Sequence, residues 1–398
     1  MMTDAILAIN AGSSSIKFAL FAQATALRNL RKLYSGHVDS IGAQARFRLT
    51  DASATDENTL EQAVTADNHA QALQIILDWL DEQTDILRLV AIGHRVVHGG
   101  LTYSQAVRID ETVIDRLKDL IELVPLHQPH ALQAIDVLIA QRPHIPQVAC
   151  FDTAFHTSMP PWEQLFALPR SLAQQGIRRY GFHGLSYEYI TSILPAHLGE
   201  VANGKVVIAH LGHGVSMCAV NNRQSIATTM SFTPLDGLPM GKRSGAVDPA
   251  VVLYLLERGM TTDEISDLLN HQSGLLGLSG ISDDMRTLLA SADPAAAEAV
   301  DYFCYRISRE LGSLTAALGG LDVLVFTGGI GEHAAPVRAR IGEAAAWLGL
   351  EIDPQANQAN ALHISSANSK ISVWVIPTEE ELMIARHTAT LIAAEHAA

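Results

Sequence analysis

Two arginines in this chain stand among glycines. Gly93-His94-Arg95-Val96-Val97-His98-Gly99-Gly100 sets Arg95 just beyond a strand read at Val90–Ile92, and Gly241-Lys242-Arg243-Ser244-Gly245 sets Arg243 in a similar frame. A guanidinium grips phosphate or carboxylate through two parallel N–H bonds. A chain with only 27 Lys and Arg that places two of its arginines on such backbone points to an anionic ligand. Taken singly, a structural ion pair explains either arginine equally well. His183, in Arg178-Arg179-Tyr180-Gly181-Phe182-His183-Gly184, is placed to donate to developing negative charge, although a lone histidine is more often structural. Asp152 ends the strand-like run Val148–Phe151, where a carboxylate faces a cleft in α/β proteins. Glu379-Glu380-Glu381 follows Pro377-Thr378. Thr378 as N-cap with acids in the first turn explains these residues structurally, and the acids also suit a hard cation such as Mg²⁺.

Three glycine-rich segments follow strand-like runs: Gly12-Ser13-Ser14-Ser15, His210-Leu211-Gly212-His213-Gly214 and Thr327-Gly328-Gly329-Ile330-Gly331-Glu332. Backbone N–H groups and hydroxyls at such tips can cradle phosphate oxygens. Neither of the first two is a Walker A loop, because GxxxxGK[ST] and its helix are absent. The first alone is an ordinary turn; three together read as one nucleotide wrapped from two domains. The 17 histidines include pairs at 94/98, 127/130 and 210/213, but without HExxH or a companion Cys pair they do not spell a zinc site.

These residues need a scaffold, and 398 residues suffice for two domains or three with no disulfide or metal staple. Hydrophobic residues at 48%, charged residues at 17% and 28 glycines fit a compact α/β protein. With 27 basic against 42 acidic residues, a net charge of −15, the chain has no cation surplus for nucleic acid. Cys150, Cys218 and Cys304 sit in apolar runs without CxxC and read as buried free thiols in a reducing compartment. No signal peptide and no spanning helix is read, so the expected location is cytoplasmic.

Ala5–Ile9 and Ile16–Phe21 read as strands joined by a polar turn, a hairpin, and residues 40–60 read as polar and irregular. Helical spacing appears from Gln71, at Val113–Ile121, after Pro129, near 248–257 and near 296–318. A second strand–turn–strand unit, Lys205–Ala209 and Ser216–Val220, echoes the first, which predicts two related domains. Strands at Val323–Phe326 and Val373–Ile376 follow, and a last helix from Glu379 is expected to return to the first domain.

From Asn10-Ala11-Gly12-Ser13-Ser14-Ser15-Ile16-Lys17, through Gly93–Gly100, Phe151–His156, Arg179–Gly184, Pro234–Gly245 and Gly328–Glu332, to Pro377–Glu381, the chain resembles the acetate kinase family (acetate and propionate kinases) of the actin, Hsp70 and sugar-kinase superfamily. The resemblance implies an α/β fold of two duplicated actin-like (ribonuclease H-like) domains around a nucleotide cleft. It implies an N-terminal acyl-kinase domain over 1–152 plus the C-terminal helix 383–398, and a nucleotide-binding and dimerisation domain over 153–382. The implied reaction is direct, reversible, in-line transfer of the ATP γ-phosphoryl group to acetate, giving acetyl phosphate and ADP. A propionate or broader short-chain acyl kinase is the alternative, with a non-ATP phosphoryl donor behind it. Mg²⁺ (or Mn²⁺), a homodimer, and no nucleic-acid or membrane partner are also implied.

By matching position, Arg95, Asp152, His183, Arg243 and His127 would be catalytic, with Arg95 and Arg243 on the carboxylate and the phosphoryl group. Asn10 and Glu380 would serve the metal. Asn10, Ser15, Lys17, His210, Gly212, His213 and Gly214 would meet phosphates, and Asp284, Met285, Arg286, Gly329, Ile330 and Gly331 the adenosine. Arg95, Val97, Leu126, Phe182 and Pro234 would hold the acyl group, Val97 favouring acetate, although a methylene is worth only about 1–3 kcal/mol and leaves propionate usable. The chain departs from the family pattern at His213, His333, Lys242 and Asp236; the histidines are donors that can titrate, and Lys242 adds positive charge to the phosphate site.

Overall fold

A computed structural model describes residues 2–12, 14–22, 30–52 and 58–397. The chain divides into two compact units, Met1–Ala154 with Glu379–Ala398, and Phe155–Thr378.

The first unit is built on β1 (Thr3–Ala11), β2 (Ile16–Ala22), β3 (Arg31–Asp39), β4 (Arg46–Asp51), β5 (Asn58–Ala63), β6 (Leu87–Val96), β7 (Val107–Arg108) and β8 (Gln147–Phe151), in sheet order β5-β4-β3-β2-β1-β6-β8-β7. β1 is buried nearly throughout because both faces of the sheet are covered. On one face Leu7, Ile9, Phe18 and Leu20 pack against Leu73, Ile76 and Leu77 of helix His69–Asp81 and Leu138 of helix Gln128–Gln141. The other face carries the last helix, Glu380–Ala397, which returns to this unit.

The second unit holds β9 (Lys205–Leu211), β10 (Val215–Asn221), β11 (Gln224–Thr228), β12 (Val323–Thr327) and β13 (Ser372–Val375), in order β11-β10-β9-β12-β13. Its antiparallel β11-β10-β9 followed by parallel β12 and β13 reproduces β3-β2-β1 followed by parallel β6 and β8. The echo of one strand–turn–strand unit by another is therefore a duplication of the whole five-strand topology. Helix Gly184–Leu198 packs Tyr187, Ile190 and Leu194 on Val206, Ile208, Cys218 and Val325. Among the described residues no helix is long and apolar enough to cross a membrane, and all three cysteines are buried and free.

Four expectations are corrected. Much of residues 40–60 is not irregular: β4 and β5 are antiparallel strands, and β4 buries Phe47 and Leu49 alternately with more exposed Arg46, Arg48 and Thr50. The strand expected to stop at Gly93 runs on to Val96. Gly93 is instead the point where the last helix crosses closely, since a Cβ there would lie 2.2 Å from Thr388 Oγ1. The segment after Thr327 is not a turn but a short helix, Gly328–His333, with the Gly328 N–H held by Glu332 Oε1 at 2.9 Å. Thr378 is not the N-cap of a helix that begins at Glu380; its hydroxyl donates to Ser186 Oγ at 2.8 Å.

Candidate active site

In the first unit three strands and the last helix bring four of the expected residues into one network. Arg95 and Asp152 come from parallel neighbours, β6 and the end of β8. Arg95 Nε donates to both Asp152 oxygens at 3.1 and 3.0 Å, and its Nη1 donates to Asn10 Oδ1 at 3.1 Å. Asn10 Nδ2 donates to Glu380 Oε2 at 3.2 Å. Burial opposes the Arg95 charge, but Asp152, Glu380 and Glu381 together raise its pKa further above the ordinary arginine value. The guanidinium is thus permanently charged, fixed on one edge by a buried carboxylate, and part-exposed.

Asn10 is also the inner end of a polar row. The pairings Asn10↔Lys17, Lys17↔His37, His37↔Arg48 and Arg48↔Glu61 place these residues side by side on one sheet face. Lys17, Lys32, His37, Arg48, Glu379 and Glu381 line a cavity of about 450 Å³, with Lys32 Nζ 2.8 Å from Glu379 Oε1. Burial, against Asp39 and together with Arg48 and Lys17, lowers the His37 pKa. The outer part of the row was not legible because its strands read as irregular.

The glycine turn between β1 and β2 is closed by Gly12 N–H donating to Ser15 O at 2.8 Å, and Ser13 lies outside the described residues. A histidine that the sequence reading passed over supports this turn: His69 Nε2 is 2.6 Å from Gly12 O, and its ring stacks on His130 at 4.2 Å. His127 occupies the N-cap position of helix Gln128–Gln141. Val97 is buried and Leu126 half-buried.

The second unit gathers another set around the turn Gly212–Gly214. His183 adopts the left-handed conformation, φ 57°, at the head of helix Gly184–Leu198. A Cβ on Gly214 would stand 3.0 Å from His183 Nε2 and 3.9 Å from Arg243 Nη1, so the bare backbone admits both cationic or donor groups. Arg243 Nη1 donates to Pro234 O at 3.2 Å. The His210 and His183 rings lie 4.4 Å apart. Gly328, at φ 75°, abuts the same turn, because a Cβ there would meet Leu211 O at 2.9 Å and Gly212 N at 3.1 Å. Arg338, buried, donates to Gly331 O at 2.8 Å and so fixes the helix carrying Gly329, Ile330 and Gly331; its signal in the sequence was too generic to read. Asp284 caps helix Met285–Ala290 and pairs with Arg286 at 2.9 Å. Met285 and Phe182 are buried.

The residues that depart from the family pattern have charged and polar neighbours of their own. Lys242 Nζ lies 3.6 Å from Asp283 Oδ2, a carboxylate that the sequence reading did not single out. Desolvation, opposed by Asp283 and reinforced by Arg243 and Lys242, lowers the His213 pKa, which keeps that ring neutral near pH 7. Asp236 accepts a short hydrogen bond from Ser231.

Each unit thus holds a cationic side chain fixed at the end of a sheet beside a glycine turn, on sheets of the same order. The fold is of the duplicated α/β, actin-like class. The Acetokinase family profile matches residues 5–386, and the chain belongs to that family. An acetate kinase from Rhodopseudomonas palustris (strain ATCC BAA-98 / CGA009) is 54% identical over 392 residues, 97% of this chain and 98% of that protein. A crystal structure of a propionate kinase from Francisella tularensis subsp. tularensis SCHU S4 superposes with a TM-score of 0.89 at 38% identity, covering 97% of this chain and 99% of that one. The Porphyromonas gingivalis acetate kinase structure gives 0.85 at 35% identity, covering 98% and 100%.

Proposed function

We propose that this protein is an acetate kinase, transferring the γ-phosphoryl group of ATP to acetate in line, reversibly, to give acetyl phosphate and ADP. Family membership supports the reaction class, and the Arg95–Asp152–Asn10–Glu380 network is the observation that carries the mechanism.

Acetate, with a pKa in the carboxylate range near 4–5, is already ionised at pH 7, so the acceptor needs no general base. The work left to the protein is to position two anions and offset their repulsion. Arg95 presents a charge that cannot be titrated away, and Asp152 prevents it from swinging. Arg243 and His183, facing one glycine turn, would hold the transferring group's equatorial oxygens, with His127 in support. Asn10, Ser15, Lys17, His210, Gly212, His213 and Gly214 would meet the nucleotide phosphates. Asp284, Met285, Arg286, Gly329, Ile330 and Gly331 would take the adenosine. Phe182 and Pro234, with Val97 and Leu126, would exclude water from the acyl methyl group.

Glu380 supplies carboxylate oxygens, which suit a hard cation, while Asn10 turns its amide nitrogen to Glu380 and its oxygen to Arg95, so that the amide would have to turn over to offer its oxygen to a metal. Among the described residues no three His, Cys, Asp or Glu side chains gather to cage an ion. That fits Mg²⁺, which keeps waters and shares its coordination with substrate phosphates. Asn10 and Glu380 would hold it, and when bound it would neutralise charge on the phosphate oxygens.

A homodimer formed through the second unit is supported by helix Pro249–Glu257, which buries none of its residues although Leu253, at 60%, and Tyr254, at 55% exposure, are large and apolar. A cytoplasmic setting accords with the three free cysteines.

The test incubates the protein with Mg-ATP and acetate, propionate, butyrate or glycerol, trapping acyl phosphate as hydroxamate, with pyrophosphate replacing ATP in parallel. Hydroxamate from acetate and ATP, exceeding that from propionate, is expected. No hydroxamate from any acid with either donor would sink the reading.

A further inference from the structure

Behind His183 and His210, whose rings meet at a tilt of 31°, run two chains of hydroxyl groups. His183 Nδ1 is 2.8 Å from Ser216 Oγ, and the same oxygen shares a short hydrogen bond with Tyr187 OH. His210 Nδ1 is 2.9 Å from Ser186 Oγ, which accepts from Thr378 Oγ1 at 2.8 Å.

The polarity of each chain follows from where protons can go. Tyr187 is fully buried, and burial, with Cys218 adding and Ser216 opposing, raises its pKa well above the ordinary tyrosine value. Its phenol therefore keeps its proton, and among the described residues Ser216 Oγ is the only hydrogen-bond partner of that group. When Tyr187 donates to Ser216, the Ser216 proton has His183 Nδ1 as its acceptor. The opposite polarity, with His183 Nδ1–H donating to Ser216 and Ser216 to Tyr187, strands a buried phenolic O–H, an arrangement that folded proteins avoid. Thr378 imposes the same direction on the second chain, since it donates to Ser186 and leaves the Ser186 proton to His210 Nδ1.

We propose that Tyr187–Ser216 and Thr378–Ser186 are positioning residues that hold His183 and His210 as the tautomer with Nδ1 accepting, so that both rings present Nε2–H. Those nitrogens face the bare glycine turn: His183 Nε2 is 3.0 Å from where a Gly214 Cβ would be, and His210 Nε2 is 3.3 Å from that of Gly212. Phosphoryl oxygens only accept hydrogen bonds, so two N–H donors at this turn are matched to them, and an Nδ1–H tautomer would present a lone pair instead. The phosphoryl target rests on the acyl-kinase reading, whereas the tautomer assignment does not.

The experiment labels the full-length protein with ¹⁵N-histidine and reads both ring nitrogens by two-bond ¹H–¹⁵N correlation, without substrate, at pH 7.5. His183→Gln and His210→Gln assign the signals. The wild-type rings are expected with Nε2 protonated and Nδ1 bare. Ser216→Ala and Tyr187→Phe should turn His183 into a tautomer mixture and leave His210 unmoved, and Ser186→Ala should do the converse. With acetate, kcat of Ser216→Ala should fall roughly ten- to a hundredfold at little change in KM, and Ser216→Thr should restore both the spectrum and the rate. A wild-type His183 carrying Nδ1–H, or a tautomer and kcat unchanged in Ser216→Ala, overturns the proposal. Where a variant fails to fold, the wild-type spectrum decides alone. An enzyme inactive on acetate but with Nε2–H on both rings would refute the acyl-kinase reading and leave the tautomer assignment standing.

Discussion

Asp152 is 1% exposed and spends both carboxylate oxygens on Arg95, while Arg95 spends Nη1 on Asn10. Exchanging Asp152 for Asn keeps the shape and removes the charge, so a guanidinium with 17% side-chain exposure faces an amide that also brings donors of its own. Breaking one partner of a buried pair costs about 3–5 kcal/mol, and a loosened Arg95 no longer meets its anion in place. Asp152→Asn is therefore expected to lower Tm by several degrees and kcat by about a hundredfold or more, checked by calorimetry and the hydroxamate assay. An unchanged Tm with unchanged kcat would remove Asp152 from the network. Arg95, Asp152 and His183 were legible because their residue types are rare in such frames. Ser216, Ser186 and Tyr187 were not, since a serine or tyrosine in an apolar run has no local mark of what it will touch; only the pairing of β9 with β10 and the packing of helix Gly184–Leu198 bring them to the histidines.

Strands and helices with a strong apolar period were readable, and those whose period is split between a covered and an open face were not. In β4, Phe47 and Leu49 point inward while Arg46, Arg48 and Thr50 face outward, so the polar residues dominate the composition and conceal the strand. Gly93 misled differently, for its missing side chain signals a helix overhead and not a strand end. An alanine there would place Cβ 2.2 Å from Thr388 Oγ1 and 2.6 Å from Ile384 Cγ2, on the helix that begins with Glu380. Overpacking of this kind costs about 1–3 kcal/mol and is relieved by lifting the helix. Gly93→Ala is expected to destabilise by that amount and to raise the KM for Mg-ATP severalfold, because Glu380 moves off Asn10. Gly312→Ala supplies the contrast: its Cβ would meet nothing closer than Trp347 Cζ2 at 3.7 Å inside helix Pro294–Leu318, and it should gain up to about 1 kcal/mol. Equal melting temperatures for the two variants would defeat the helix-crossing account.

Across the whole molecule the duplication was visible in the sequence as two strand–turn–strand units, but acid sensitivity was not, because it depends on which of the 17 histidines are buried. His94, His98 and His156 are at most 1% exposed. Burial lowers each to about 4 from the ordinary 6.5, with Gln147 opposing at His94 and the Phe182 carbonyl opposing at His156. The direction follows from proton counting. Above about pH 7 the folded and unfolded chains both hold these rings neutral, and their contribution to stability is intact. As pH falls below 6.5, the unfolded chain binds protons that the folded one refuses until about 4, so stability is lost through that window. Each ring contributes at most about 1.4 kcal/mol per pH unit, or about 4 kcal/mol for three acting together. Tm is therefore expected to drop steeply between pH 6.5 and 4.5, well before most carboxylates titrate. His94→Gln, which keeps a polar side chain beside Gln147 but cannot take the proton, should flatten that slope by about a third. A Tm that stays level over the window, or a slope that the substitution leaves untouched, would show that these rings accept protons without unfolding, and hence that the polar groups around them can accommodate an imidazolium.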